Sequence, residues 1–145
     1  MPDHRKHRGP HPEDRKLFAG ENVTSLSTAT SDFSWLLSRG YASNSSLKLV
    51  GDRYQLDARQ RIAVARCGCP DNSAARRRRH EVGAGRLTDQ ELWIDGFNLI
   101  TTVEAALAGG VVLLGKDHCY RDMASMHGSY KRVEETLAAL ELIGR

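Results

Sequence analysis

The chain has 145 residues, enough for one domain of ordinary size or for a small domain joined to part of another. Its hydrophobic content of 40%, with 6% aromatic residues, is typical of a soluble globular protein and excludes a disordered one. No apolar stretch has the length of a bilayer span, and the N-terminus does not resemble a secretory signal. An odd count of three cysteines favours a reducing compartment, so we expect a cytoplasmic protein.

The charge is unevenly distributed along the sequence. Residues 1–90 carry 16 Lys and Arg against 10 Asp and Glu, whereas residues 91–145 carry 5 against 8. A basic first part beside an acidic second part suits a nucleic-acid enzyme, because cationic surface holds the phosphate backbone and carboxylates hold metal. The same asymmetry also suits an ordinary protein with a basic tail.

Residues 1–16 are expected to form a flexible basic arm. They are polar and contain three of the four prolines, together with several histidines and arginines. Chain ends of this composition are usually solvated, and their cationic side chains are able to contact phosphates.

A small helical domain is predicted over residues 17–67. Apolar residues at helical spacing precede Gly40, which is placed to end a helix. Asp57 is a good N-cap for a further helix over residues 58–67. Short helices around a glycine-bearing turn are compatible with a helix-turn-helix motif, and equally with a helical domain whose arginines are solvated.

Residues 68–90 are predicted to be an Arg-rich linker, because glycine, proline and serine occur without apolar periodicity. The densest basic run in the sequence, Arg76 to Arg79, lies in this segment. Such a cluster is able to anchor a nucleic-acid backbone, and it is equally common in an exposed linker.

The segment ELWIDGFNLI, residues 91–100, is the most informative part of the sequence. A continuous apolar run that ends in Asp95 predicts a buried strand, and the carboxyl ends of such strands are where open α/β sheets bind ligands. Gly96 permits close approach of a substrate, and Asn98 adds a neutral donor and acceptor. The alternative is a β-hairpin with a two-residue Asp-Gly turn.

The sequence after this segment predicts further helix and strand. Thr101 and Glu104 match a capping box for a short helix that ends at Gly109. The apolar run at 111–114 is compatible with a second strand. From Met123 onward, apolar residues alternate at spacings of three and four, which predicts a helix bent at Gly128.

Several acids in this region suggest metal-assisted phosphodiester chemistry, which requires carboxylates around Mg²⁺ or Mn²⁺. Asp95 is the first candidate. Each acid that follows Asp95 in the sequence, considered alone, is more simply explained as an exposed surface charge. The hypothesis of a metal site therefore rests on the acids as a group. The other available acids are Asp117, Asp122, Glu134 and Glu135, whereas Glu104 is assigned to the capping box.

Nearly the whole chain resembles a bacterial and archaeal family of unknown function, the domain-of-unknown-function family 434, paired with a second uncharacterised C-terminal domain. The stretches SLKLVGDRYQL and IDGFN are the specific ones. The family implies no established activity. More loosely, IDGFN is similar to the opening strand of PIN-like and NYN-like nucleases, which implies that Asp95 binds metal. The RVEET stretch resembles the place of a second acid, Glu134 or Glu135.

Members of that family usually continue past the equivalent of ELIGR with further strands. We therefore expect a truncated member, or a fragment of a longer product, in which catalysis is lost or a partner or second copy covers the incomplete sheet.

Together these features predict an α/β protein in which a small helical N-terminal domain precedes the beginning of a PIN-like three-layer α/β domain, residues 91–145. The expected function is a divalent-metal-dependent nuclease acting on RNA in preference to DNA, without membrane association. The alternatives are a non-catalytic nucleic-acid-binding module and an inert fragment. The predicted catalytic residues are Asp95, Asn98 and Glu134, the metal ligands Asp95, Glu134 and Glu135, and the nucleic-acid-binding residues Arg76, Arg77, Arg78 and Arg79.

Overall fold

The structure is a computed structural model that describes residues 6–124 and 130–145. Within these ranges the chain forms seven α-helices and one two-stranded antiparallel sheet, and none of the helices is long and apolar enough to cross a membrane. The elements are α1 (Asp14–Leu17), α2 (Gly20–Ser38), α3 (Ser43–Arg53), α4 (Ala58–Cys67), α5 (Asp71–Arg79), α6 (Gly96–Leu107), β1 (Val112–Leu114), β2 (Tyr120–Asp122) and α7 (Thr136–Ile143).

Helix α2 is the centre of the first half, and α3, α4 and α5 pack against it. The core beneath it is apolar and fully enclosed, and its buried members are Ala29, Phe33, Val50, Leu56 and Val64. Burial of aliphatic and aromatic side chains of this size contributes roughly 1.5–3 kcal/mol each, so this cluster is the main apolar contribution to the stability of the helical half.

Two local predictions for this half are confirmed. Gly40 follows the end of α2 with φ of 83°, a conformation that glycine adopts without steric cost. Asp57 precedes α4, and its backbone N–H donates to Gln60 Oε1 at 3.0 Å in a capping box.

The prediction of an irregular linker is wrong for residues 71–79, which form α5. Ala74 is buried against the bundle, and Asp71 lies in the first turn. The arginines of the run occupy the last turn, where a positive charge interacts favourably with the helix dipole. The packing of Ala74 and the favourable charges at both ends therefore stabilise a helix here, although the sequence lacks the apolar periodicity that would predict one.

The predicted strand before Asp95 is also wrong, and so is the alternative hairpin. Residues 91–95 are irregular, and the side chain of Trp93 is almost completely exposed. Helix α6 begins at Gly96, so the residues after Asp95 are helical. Among the described residues, β1 and β2 are the only strands, and they pair with each other. A general α/β class describes the chain, whereas a PIN-like three-layer sheet is not seen in the described ranges.

Glu104 does not cap a helix as the sequence predicts; it lies in the interior of the second half with none of its surface exposed. Arg8 Nε donates to Glu104 Oε2 at 3.1 Å, Thr136 Oγ1 donates to Oε1 at 2.6 Å, and the Tyr130 hydroxyl also donates to Oε1. Thr101 is an interior residue of α6, and its hydroxyl donates to the carbonyl of Phe97. The carboxylate therefore joins three segments that are distant in sequence.

The prediction of a flexible arm is wrong for residues 6–16, and residues 1–5 lie outside the described residues. Arg8 is buried, and the Glu134 N–H donates to the Lys6 carbonyl at 2.9 Å. Asp14 is buried as well, and Arg59 Nη2 donates to its Oδ2 at 2.8 Å. Two ion pairs thus fix this segment to both halves of the molecule.

Within the described residues, the long helix predicted from Met123 is not found, because Met123 and Ala124 are not helical and α7 begins only at Thr136. Residues 130–135 have no helical structure before Thr136, whose hydroxyl accepts from the Val133 N–H at 3.0 Å. Gly128, the predicted bend, lies outside the described residues. Because the hydrogen bonds of this segment go to Glu104 and to Thr136, the apolar periodicity does not produce a helix there.

Replacement of Arg8 by methionine should reduce the free energy of unfolding by about 3 kcal/mol or more, because it leaves the Glu104 carboxylate buried without its cation. Both side chains are fully buried. Urea denaturation of Arg8→Met and of the exposed Arg132→Met control would measure the difference. A loss below about 1 kcal/mol, the range of an exposed ion pair, would contradict this interpretation.

Candidate functional site

A cleft of about 930 Å³ lies between the ends of α4 and α5 on one side and the beginning of α6 with β2 on the other. It combines the start of the IDGFN segment with residues from both halves of the chain. Its charged and aromatic lining residues are Arg66, Arg77, Trp93, Asp95, Tyr120, Arg121 and Asp122.

Two carboxylates enter the cleft from neighbouring elements. Asp95 holds the N-cap position of α6, and Asn98 Nδ2 donates to its Oδ2 at 2.6 Å. One turn further along α6, the Thr102 hydroxyl donates to Asp122 Oδ2 at 2.9 Å, and the Ala124 N–H donates to Oδ1 at 2.8 Å. Helix α6 therefore positions both acids. Asp95 is its N-cap residue, and Asp122 is bound by Thr102 in its second turn.

A third carboxylate, that of Asp117, holds the wall of the cleft together. Its side chain is fully buried, and Arg121 binds it through two hydrogen bonds of 2.8 and 2.6 Å. Arg77 Nη1 donates to the same carboxylate at 2.8 Å, which joins α5 to the hairpin of β1 and β2. The hydrogen bonds from Arg121 hold the pKa of Asp117 far below its usual range, against the opposing effect of burial.

The cleft itself is close to electrically neutral. Three arginines and two carboxylates, Asp95 and Asp122, line it, and the third carboxylate, the buried Asp117, is bound by Arg77 and Arg121. Arg66 Nη2 lies 3.7 Å from Asp122 Oδ1. The unbalanced positive charge lies on the exposed end of α5. Within the described part of the chain, Arg76, Arg78 and Arg79 form no ion pair with a carboxylate.

Two aromatic side chains at the cleft are unusually accessible. Trp93 is 91% exposed and Tyr120 is 69% exposed. Large aromatic side chains normally bury most of their surface, so two of them at one cleft indicate a surface for planar ligands.

The structure brings together only part of the predicted site. Asp95, Asn98 and Arg77 share the cleft, whereas Glu134 and Glu135 lie beside His7 on another surface. His7 Nδ1 and Glu135 Oε1 are 2.7 Å apart, and this hydrogen bond raises the pKa of His7. In residues 6–124 and 130–145, no group of three or more His, Cys, Asp or Glu side chains is arranged to hold a metal ion.

Asp122 is one of the acids available in the sequence and is not among the predicted site residues. The pairing of Asp122 with Thr102 spans 20 residues and depends on how the hairpin packs on α6. Arg121 follows Asp117 by four residues across a turn. This short spacing is the feature of the sequence that could have predicted their ion pair. No pattern in the sequence predicted that Arg66 and Tyr120 line the cleft.

Two family models match the chain, one over each half. Residues 25–80 match the model described as "Protein of unknown function (DUF434)", and residues 84–145 match the one described as "Domain of unknown function (DUF5616)". The matches confirm the likeness to family 434 and to a second uncharacterised domain. Neither description mentions a nuclease, and neither gives support to a PIN-like relationship.

One curated relative is an uncharacterised protein of Methanocaldococcus jannaschii. It is 29% identical over 119 residues, which are 82% of this chain and 57% of the relative. The chain thus spans little more than half the length of that relative. No solved structure matches the chain.

Replacement of Asp117 by asparagine should reduce the free energy of unfolding by about 3 kcal/mol at pH 7, because two arginines lose their shared buried carboxylate. The pKa of Asp117 is lowered by folding, so its stabilisation is complete above the unfolded pKa of about 3.9 and declines as the pH falls toward the folded pKa.

Denaturation from pH 7 to pH 3 would therefore show the difference between wild type and Asp117→Asn becoming smaller only at the acidic end. Asp89→Asn is the matched control, because Asp89 is exposed and asparagine tolerates its positive φ of 59°. A difference that is constant over this range would contradict the assigned ion pairs.

Proposed function

We propose that this chain binds single-stranded nucleic acid, RNA in preference to DNA, along the cleft and the adjoining end of α5. The observation that carries the proposal is the placement of Trp93 and Tyr120, both exposed, at a cleft that three arginines also line. Proteins that bind single strands combine cationic grooves for phosphates with aromatic side chains on which bases stack.

The distribution of charge favours a phosphate backbone that follows α5 into the cleft. Arg76, Arg78 and Arg79 supply the unbalanced positive charge outside it. Inside, Arg66 has a long contact of 3.7 Å with Asp122, and its guanidinium is partly exposed. An arginine held this loosely retains donors for a phosphate oxygen.

Single-stranded RNA suits the site better than a duplex. Bases are available for stacking on Trp93 only when they are not stacked within a helix. The carboxylate of Asp95 and the amide of Asn98 add acceptors and a donor at the cleft, and the 2′-hydroxyl of RNA is both a donor and an acceptor.

A second candidate function is metal-dependent phosphodiester cleavage at the same cleft. The observation in its favour is that Asp95 and Asp122 both line the cleft, with Asn98 beside them. Their oxygen donors fit Mg²⁺ or Mn²⁺, because Mg²⁺ in proteins is often held by one or two carboxylates, several waters and substrate phosphates. A bound divalent ion would add two positive charges to a nearly neutral cleft and polarise a phosphate.

Replacement of Arg76, Arg78 and Arg79 by alanine should weaken RNA binding and reduce its salt dependence. For a single strand, the slope of log affinity against log salt should fall by about two when three phosphate contacts are lost. Fluorescence anisotropy with an oligouridine of about 15 nucleotides measures both quantities. The triple variant of the exposed Arg15, Arg53 and Arg132 removes equal charge elsewhere and should leave more of the slope intact.

In the same assay, Trp93→Ala should weaken binding about tenfold, the effect of losing one stacked base. Trp35→Ala is the control, because Trp35 is 52% exposed on α2 and does not line the cleft. Equal affinities of the two tryptophan variants, or tighter binding of duplex than of single strand, would refute the proposed mode of binding.

The metal site predicts a manganese-dependent increase in melting temperature that Asp95→Asn removes, because a ligand bound to the native state alone stabilises it by mass action. Glu91→Gln is the control, since Glu91 is an exposed acid four residues before Asp95. An increase that persists in Asp95→Asn would exclude this site, and RNA cleavage abolished by EDTA and by Asp95→Asn would establish the second candidate function.

A further inference from the structure

A second concave surface lies on the other side of the hairpin, and we call it the β1 groove. It has a volume of about 850 Å³, and its floor includes Ala63 and Val64 of α4. One wall is α2, which contributes Val23 and Leu26, and the opposite wall is the continuous segment 111–116. The groove is therefore bounded along one side by the backbone of β1 and its flanking residues.

The outer edge of β1 is unpaired. Gly115 N–H donates to the Cys119 carbonyl at 3.0 Å, and Leu113 lies opposite Arg121 in the same register. Because hydrogen-bonded and non-hydrogen-bonded pairs alternate in an antiparallel ladder, the N–H and C=O groups of Val112 and Leu114 point away from β2. Within the described residues these outward groups have no hydrogen-bond partner.

The unpaired backbone N–H and C=O groups of β1, beside the apolar wall of the groove, determine which kind of ligand the groove is able to bind. A hydrocarbon ligand would leave these backbone groups without partners at an energetic cost. An extended peptide would satisfy them, because its own alternating N–H and C=O groups form a ladder with the strand edge. The strand itself, Val112–Leu114, spans roughly 10 Å, so its ladder with an extended peptide involves about three residues of the strand.

The charges around the groove select among peptides. Arg78, Lys116 and His118 line it, and the single lining acid is Asp71. An acidic side chain on the peptide would meet this excess of cations, whereas a basic one would meet like charges. Val23 and Leu26 favour apolar residues at the intervening positions.

We propose that the β1 groove binds an extended peptide with alternating apolar and acidic residues, which adds a third strand to the sheet at β1. This surface is separate from the RNA cleft, since the two share no lining residue. Arg78 lines the groove and also belongs to the exposed end of α5 that is assigned to RNA, so the triple arginine variant tests both surfaces. Trp93 lines only the cleft, so Trp93→Ala should weaken RNA binding and leave peptide binding intact, and the two proposals fail independently.

Leu114→Pro is the decisive variant. Proline removes the outward N–H of residue 114 and is tolerated on edge strands, and this N–H takes no part in the pairing with β2. Leu114→Val keeps the N–H and is the matched control. Circular dichroism of both variants, together with proton exchange at the Gly115 amide, would establish that the hairpin is retained.

The probe is an array of immobilised hexapeptides with apolar and glutamate residues in alternation, and a second array in which lysine replaces glutamate. We expect selective binding to the glutamate array, about tenfold weaker for Leu114→Pro than for Leu114→Val, as for one lost hydrogen bond. Lys116→Glu should weaken binding as well, and proton exchange at the Val112 and Leu114 amides should slow when a peptide is bound.

Three results of the peptide assays would overturn the proposal. They are binding that prefers the lysine array, equal binding by the two Leu114 variants, and the absence of any bound hexapeptide at about millimolar affinity. Dimerisation of the chain alone that Leu114→Pro abolishes would also overturn it, because the occupant of the edge would then be a second copy.

Discussion

The arrangement of the second half depends on one buried carboxylate. Glu104 has no exposed surface, and a charged group in that position requires partners for both oxygens. It obtains them from Arg8, Tyr130 and Thr136, which belong to segments far apart in the sequence. Once these bonds form, the N-terminal segment, α6 and the start of α7 have fixed relative positions. Since α6 also carries Asp95 at its first turn, the geometry of the cleft follows from the same interaction.

Asp117 has a comparable effect on the opposite side of the cleft. Arg77 and Arg121 share its carboxylate, so the hairpin is held to the end of α5 by charge-assisted hydrogen bonds rather than by an apolar core. This use of Arg77 divides the basic run into one arginine that binds Asp117 and three that form no ion pair within the described residues. Of the two buried acids, Asp117 thus joins α5 to the hairpin beside the cleft, and Glu104 fixes helix α6, whose beginning lines it.

The exposed parts of the molecule differ in origin. Residues 91–95 are irregular, and Leu92, Trp93 and Ile94 each have more than half of their surface exposed. The outer edge of β1 lacks a neighbouring strand for another reason, because the sheet of the described residues has two strands and each of them therefore has one unpaired edge.

The sequence by itself determined the features that depend on neighbouring residues. The end of α2 at Gly40, the end of α6 at Gly109, the extent of α4 with its Asp57 cap and the strand within 111–114 were all predictable, because a helix end or a short strand is decided by local hydrogen bonds and backbone conformation.

Only the tertiary structure decided the rest. Asp95 and Asn98 line one cleft together with Asp122, whereas Glu134 and Glu135 lie beside His7 on another surface. Which acid approaches which depends on the packing of the hairpin on α6, a contact between distant segments that no local pattern encodes. The role of Glu104 was missed for the same reason, since a buried acid and a capping acid are identical in sequence, and burial is a property of the whole fold.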